Sequence, residues 1–198
     1  MYNLPTSIIV NDREYAIRNN GDFRIVLDCL EVLNDISLEE NERCIVALVI
    51  FYECFEDIDD IIKVPENELS ELVNEMFLFI SCGNDGSVTA NTNYKTLDWN
   101  SDSQLICSAI NKVAGMEVRS TPYLHWWTFM GYFSEIGESS LATVVCIRTK
   151  IVKNKKLEKY ESEFRMNNPQ YFNWDYRTQQ QKEDDELIKK LWNNGGDK

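Results

Sequence analysis

Ser37-Leu38-Glu39-Glu40-Asn41-Glu42-Arg43-Cys44-Ile45-Val46-Ala47-Leu48-Val49-Ile50-Phe51-Tyr52 is the stretch that decides the fold class. Its second half, Cys44 to Tyr52, is the longest uninterrupted apolar run in the chain, and its β-branched residues suit a buried strand. Its first half is a helix start. Ser37 and Glu40 have the S-x-x-E form, in which a hydroxyl and a carboxylate satisfy free backbone N–H groups at a helix N-terminus. An all-round apolar segment that begins with such a cap is a central, buried helix; a buried strand is the runner-up. The run is also far short of the roughly 20 residues that cross a bilayer.

Toward the N-terminus, Ser7-Ile8-Ile9-Val10 and Glu14-Tyr15-Ala16-Ile17 form two short β-prone runs joined across Asn11-Asp12-Arg13, which predicts a hairpin. Asn19-Asn20-Gly21 breaks the chain, and Asp22 is placed to cap a helix carrying Phe23, Val26, Leu27, Leu30 and Leu33 on one face. Toward the C-terminus, Pro65 opens a helix with Leu69, Leu72, Val73, Met76, Phe77 and Ile80 as its apolar stripe, ended by Cys82-Gly83. Ser101 and Gln104 form another capping box, ahead of Leu105, Ile106, Ala109, Ile110 and Val113. Pro122 opens a strongly aromatic helix, Tyr123 to Ile136, and Ser139 or Ser140 caps the next, which carries Leu141, Val144, Val145, Ile147, Arg148 and Ile151. Asn167-Asn168-Pro169 is a break, and Leu187, Ile188, Leu191 and Trp192 mark one last short amphipathic piece.

The expected fold is therefore mainly α: a bundle-like protein of seven or eight helices with a short N-terminal β-hairpin. Its expected divisions are a hairpin plus acidic helical half over 1–82, a flexible linker over 83–97, an aromatic helical half over 98–168 and a partly ordered tail over 169–198. The linker expectation rests on the small, polar run between Gly83 and Asn93.

Charge supports that boundary. Residues 1–98 hold 6 Lys and Arg against 20 Asp and Glu, whereas residues 99–198 hold 14 against 13. So acidic a front half repels phosphates, which argues against a nucleic-acid partner. The N-terminal sequence has no basic n-region and no apolar h-region, so neither a secretory signal nor a membrane association is expected. The six cysteines are scattered without a C-x-x-C pair, which predicts reduced core thiols in a cytoplasmic compartment.

No catalytic constellation emerges from the residues. The single histidine, His125, has Trp126 and Trp127 beside it and no cysteine or carboxylate at metal spacing, so it is expected to pack rather than to ligate. Glycine-rich phosphate loops and nucleophile elbows are absent. Glu53, Glu56, Asp57, Asp59 and Asp60 lack the glycine and the twelve-residue frame of a calcium loop, and are expected to be a solvated helix end around packed Ile58, Ile61 and Ile62. Arg148, Lys150, Lys153, Lys155, Lys156 and Lys159, interleaved with glutamates, are expected to be a charged helix face. No enzyme activity, metal or cofactor is expected. The aromatic helix is the exception to this plainness. Tyr123, Trp126, Trp127, Phe129, Met130, Tyr132 and Phe133 cannot all face one core, so either two sides are buried or one aromatic edge is an interface.

Several marks together resemble a known family. They are Asp98, Asp102 and Ala109, then His125-Trp126-Trp127-x-Phe129, then Ile147-Arg148 and Lys155 to Glu161, with Tyr15-x-Ile17, Phe23-Arg24 and Cys82-Gly83 more loosely. Over roughly residues 5–165 the chain resembles the tail-assembly family known as gene product fifteen of long-tailed phages of Gram-positive hosts. The resemblance implies a helical, non-catalytic tail-assembly chaperone that binds the tape-measure protein or the tail-tube protein. It also implies residence in the host bacterial cytoplasm and absence from the finished virion. The candidate partner-binding residues are Trp99, Tyr123, Trp126, Trp127, Phe129, Tyr132 and Arg148, with an amphipathic client helix laid into a groove. The sequence does not fix the oligomeric state; a homo-oligomer is a further expectation, since chaperones that coat a filament often form rings or spirals. Three other roles stay open at this point: a structural component of the virion tail, a phage-encoded regulator of a host protein, and an enzyme or small-molecule binder in which His125 and the nearby acids line a pocket.

Overall fold

A computed structural model describes residues 3–84 and 94–194. The expected linker lies largely outside these residues. Among them the chain is mainly helical, with one two-stranded antiparallel sheet and nine α-helices. The contacts divide it into two compact units that do not follow linear order: residues 1–89 with 110–135, and residues 90–109 with 136–198.

The first unit opens with the hairpin. Strands β1 (Ser7–Val10) and β2 (Arg13–Ala16) pair from Ser7 opposite Ala16 to Val10 opposite Arg13. The turn is two residues long, one shorter than expected, because Asn11 and Asp12 both take positive φ, as the tightest hairpin turns require. Asn19, Asn20 and Gly21 also have positive φ, and they redirect the chain into helix α1 (Phe23–Leu33). Asp22 caps α1 as expected, accepting the Arg24 N–H at 3.0 Å.

The decisive stretch is indeed helical, α2 (Glu40–Phe51), but its cap lies two residues later than expected. Glu42 accepts the Glu39 N–H at 2.9 Å, while Ser37 is turned back onto Asp35. Ala47, Leu48 and Phe51 are buried, whereas Ile45, Val46, Val49 and Ile50 are half-buried, so α2 is one-sided rather than enclosed. Its C-terminus is closed by a distant side chain. Arg18 donates to the carbonyls of Val49, Ile50, Tyr52 and Phe55 at 2.8–3.0 Å, neutralising the negative end of the helix.

Helix α3 (Ile58–Ile62) is the solvated acidic segment, capped by Asp57, but only Ile61 is buried. Ile58 and Ile62, expected as packing residues, are exposed. In α4 (Glu66–Ile80), Pro65 stands at the cap rather than inside the first turn. The stripe is also rotated: Phe79 is buried with Leu72 and Met76, and Phe77 is exposed. Tyr52 ties α2 to α4 by donating its hydroxyl to the Leu72 carbonyl at 2.9 Å. Helix α5 (Ser103–Ala114) contains the division between the units, and α6 (Trp126–Ser134) belongs to the first. The latter begins four residues after Pro122, so Tyr123 and Leu124 precede the helix instead of belonging to it. Phe23 of α1 stacks on Phe129 of α6, ring centroids 4.5 Å apart.

In the second unit, α5 starts two residues past the expected Ser101 cap. Its entry is built by Asp98, which accepts the Ser101 N–H, and by Asp102, which accepts the Asp98 N–H. Helix α7 (Ser140–Val152) is capped by Ser139 and buries Leu141, Val144, Ile147 and Arg148. The basic run is not one helix face. It spans the end of α7, a turn with Asn154 at positive φ, and the start of α8 (Lys159–Asn167). Lys150 is drawn out of that run by Glu161, a buried carboxylate on α8. After a short turn at Pro169–Tyr171, the tail forms α9 (Gln179–Asn194), longer than the expected piece and with Leu187 and Ile188 exposed.

Candidate functional site

The end of α4 determines what the His125-Trp126-Trp127 motif does. Cys82 and Gly83 turn left-handed there, and the Gly83 N–H returns to the Leu78 carbonyl at 2.8 Å. A helix leaves its last four carbonyls without intrahelical partners. Two of them are met by indoles: Trp126 Nε1 donates to the Ile80 carbonyl at 2.8 Å, and Trp127 Nε1 to the Phe79 carbonyl at 2.9 Å. His125 caps α6, its Nδ1 accepting the Trp127 N–H at 3.0 Å. That assigns the ring proton to Nε2, which lies 2.9 Å from the Pro5 carbonyl and donates to it. Burial pushes the His125 pKa below its ordinary value, consistent with a neutral ring. Both ring nitrogens are therefore engaged with backbone.

Asp22 completes this cluster. One carboxylate oxygen caps α1 and the other accepts the Leu124 N–H at 2.9 Å, while Arg24 bonds the carboxylate at 3.0 Å and the Thr121 carbonyl at 2.8 Å. A segment almost a hundred residues downstream is thereby tied to the start of α1. Gly21 lies beside it at φ +75°, with no room for a side chain: a Cβ there would stand 2.7 Å from Phe79 Cζ and 3.2 Å from His125 Nε2.

The second unit has its own buried hub at Arg148, which is 1% exposed. Its guanidinium bonds Asp102 through two nitrogens at 2.8 and 3.0 Å, the fork-on-fork geometry that arginine favours with carboxylates. It also donates to the Tyr171 and Thr96 carbonyls at 2.9 and 3.1 Å, and it lies 3.5 Å from the centroid of the Trp174 ring. Trp174 in turn donates to the Lys95 carbonyl. Asp98, which shares the turn, has its carboxyl lowered to about 2; burial opposes this, but the Lys95 ammonium and the Ser101 donors outweigh it.

The seven candidate binding residues divide between the units. Tyr123, Trp126, Trp127, Phe129 and Tyr132 belong to the first, and Trp99 and Arg148 to the second. Trp126, Phe129 and Arg148 are buried and hold the fold together, which leaves them no surface to offer a partner. Trp127, Tyr132 and Trp99 are half-buried, and Tyr123 is exposed with its hydroxyl donating to the Asn20 carbonyl. One further residue matters at this surface. Gly131 is exposed, one turn beyond Trp127 and next to Tyr132, and a Cβ built on it meets nothing within 4 Å. The position therefore opens onto solvent on the face of α6 that carries half-buried Trp127.

Sequence reasoning missed Gly131, Arg18 and Arg24. A glycine between aromatics inside a helix was the available signal for the first; the two arginines act on carbonyls too remote for any spacing rule. Among the described residues no group of three His, Cys, Asp or Glu side chains is arranged to hold a metal ion. No disulfide joins the six cysteines, and only Cys29 and Cys107 are buried; Cys54 and Cys146 are exposed, against the expectation of core thiols. No helix of the described residues is long and apolar enough to cross a membrane.

The family model described as Bacteriophage Gp15 protein matches residues 1–172, which takes in both hubs up to Tyr171 and leaves out Trp174 and α9. The chain has no match among curated proteins or among solved structures.

Proposed function

This chain belongs to the bacteriophage Gp15 protein family, and from that premise we propose that it is a tail-assembly chaperone, binding the tape-measure or tail-tube protein during morphogenesis without catalysis. It would work in the host cytoplasm and be left out of the mature particle. The observation that carries the reading is the open position at Gly131 beside half-buried Trp127. Trp127 and Gly131 lie four residues apart and so share a face of α6, and Tyr132 adjoins it. Buried Trp126 and Phe129 hold the other side of the helix in the core.

An amphipathic client helix could seat one apolar side chain over Gly131 and lean on the half-open Trp127 ring one turn away, a helix-in-groove contact. Aromatic rings such as Trp127 dominate binding energies at such contacts. Their stiffness comes at little entropic cost here, because the Trp127 indole is already tied to the Phe79 carbonyl. The acidic first unit would keep a chaperone carrying an apolar surface soluble.

The test is co-expression of the chain with each tail protein, followed by capture and mass spectrometry. Gly131→Glu should leave the fold intact, since open space surrounds the position, and should abolish capture of the client. Capture that survives this substitution would remove the Gly131 face from the proposal. Finding the chain in purified particles would assign it a structural role in the tail instead.

A further inference from the structure

Residues 148–177 hold 8 Lys and Arg against 4 Asp and Glu, a local basic excess in an acidic chain. Most of those cations have a partner. Arg148, Lys150, Lys159 and Arg177 pair with Asp102, Glu161, Glu163 and Asp175, and Lys153 lies over the Tyr94 ring. Lys155, Lys156 and Arg165 are exposed, and among the described residues they have no ion pair.

These three cations belong to one groove. It has a volume of about 540 Å³, Arg165 is part of its wall, and Lys155 and Lys156 directly precede Leu157, which lines it. Its apolar lining is Leu157, Met166, Pro169 and Phe172. Met166 is 71% exposed, and methionine adapts its shape to whatever packs on it. Phe172 is held edge-on against Phe164, ring centroids 6.3 Å apart. Ser162, Arg165, Met166 and Pro169 follow one another at helical steps, so the groove runs along one face of α8.

We propose that this groove is a docking site for an acidic amphipathic helix of another protein. Aliphatic side chains one turn apart on that helix would seat among Leu157, Met166 and Phe172, and its carboxylates would meet Lys155, Lys156 and Arg165. A track along a helix face suits a helical occupant, whose side chains recur at the same spacing. Charge selects an acidic one. Most of a chain of net charge −13 repels such a helix, whereas three unpaired cations beside open apolar surface steer it in and fix its direction. A free phosphate or a nucleic-acid backbone would leave the apolar lining uncovered. The groove lies in the second unit and the Gly131 face in the first, so the inference does not rest on the client.

Fluorescence anisotropy on the full chain tests it. The probe is a fluorescein-labelled synthetic helix of glutamates with leucine and isoleucine one turn apart; two controls carry glutamine or lysine in place of every glutamate. The glutamate probe should bind, lose affinity as salt is added, and outbind both controls by roughly tenfold or more. Arg165→Glu/Met166→Glu and Lys155→Glu/Lys156→Glu should each weaken it roughly tenfold; all four positions are exposed, and circular dichroism confirms folding. Lys155→Glu/Lys156→Glu should also gain affinity for the lysine control, which a misfolded variant would not. Gly131→Glu should leave probe binding unchanged, so that this docking and client capture succeed or fail separately. Equal binding of the glutamate and glutamine probes would overturn the proposal. So would phosphatidylglycerol vesicles that take up the protein while the probe stays free, or a wild type that refuses the probe until Leu187→Lys/Ile188→Lys displaces α9, since either result assigns the groove to another occupant.

Discussion

The Trp126 indole N–H and the Ile80 carbonyl, 46 positions apart in the chain, meet at 2.8 Å. With the Trp127–Phe79 bond beside it, this contact turns the end of α4 into a socket for the start of α6. Trp126→Phe keeps most of the ring but leaves the part-buried Ile80 carbonyl without this donor. We expect a loss of about 1–3 kcal/mol, read from the urea midpoint at unchanged slope. Trp127→Phe, at a half-buried position, should cost about 1 kcal/mol. Equal and negligible effects from both would show that the indole donors do not hold the helices together.

Arg148 and Asp102 should be as sensitive, for a different reason. Removing one partner strands a charge that water cannot reach, so Asp102→Asn and Arg148→Met should each destabilise by about 3–5 kcal/mol. Because the losses share a cause, Asp102→Asn with Arg148→Met should cost clearly less than their sum. A double-mutant cycle by chemical unfolding measures this, and strict additivity would contradict the buried pair.

His125 gives the chain a pH dependence with a definite sign. Burial lowers its pKa below the ordinary 6.5, so the unfolded chain takes up a proton that the folded chain refuses. Stability is fully present above pH 6.5, declines as pH falls through the interval down to the folded pKa, and levels beneath it. Asp98 and Glu117, both lowered to about 2 by their hydrogen-bonded cationic neighbours against some desolvation, contribute their own losses at more acid pH. His125→Asn retains a side chain able to cap α6 without titrating. Thermal unfolding between pH 7 and 5.5 should show a flatter slope for this variant than for the wild type.

Gly21→Ala tests the crowding next to that histidine. The left-handed angle alone costs a non-glycine residue about 1–3 kcal/mol, and the added methyl would press on Phe79 Cζ at 2.7 Å. A total loss above about 2 kcal/mol is expected, measured by chemical unfolding. Gly131→Ala, in open space inside a helix, should instead stabilise by about 1 kcal/mol.

Much of this architecture was legible because local rules operate over a few residues. Asn11-Asp12 announced a tight turn, Asp22 and Ser139 announced helix starts, and Cys82-Gly83 announced a helix end. The errors arose where two local signals competed. Glu39-x-x-Glu42 displaced Ser37-x-x-Glu40 because Asp35 captured the serine. Phe79 displaced Phe77 because His125 and Trp127 wait on that side of α4. The burial of Trp126, Phe129 and Arg148 among the binding candidates had no local signal. An exposed tryptophan and one whose N–H meets a carbonyl 46 residues upstream look identical in sequence. Arg148 likewise shows no sign of Asp102, or of Trp174 beyond the residues that the family model matches.

The first unit's dependence on residues 110–135 also affects how the protein is made. On the ribosome, Phe79 and Ile80 emerge well before the indoles that will meet their carbonyls. At about 5–20 residues per second the interval is roughly 2–9 s. During that time the hairpin, α1, α2 and α4 must wait with the Phe23 face unstacked and Pro5 without its histidine. The nascent chain therefore passes through a state with unpaired core surface, and changes that speed or slow synthesis between Ile80 and Trp126 should alter soluble yield without altering the finished protein.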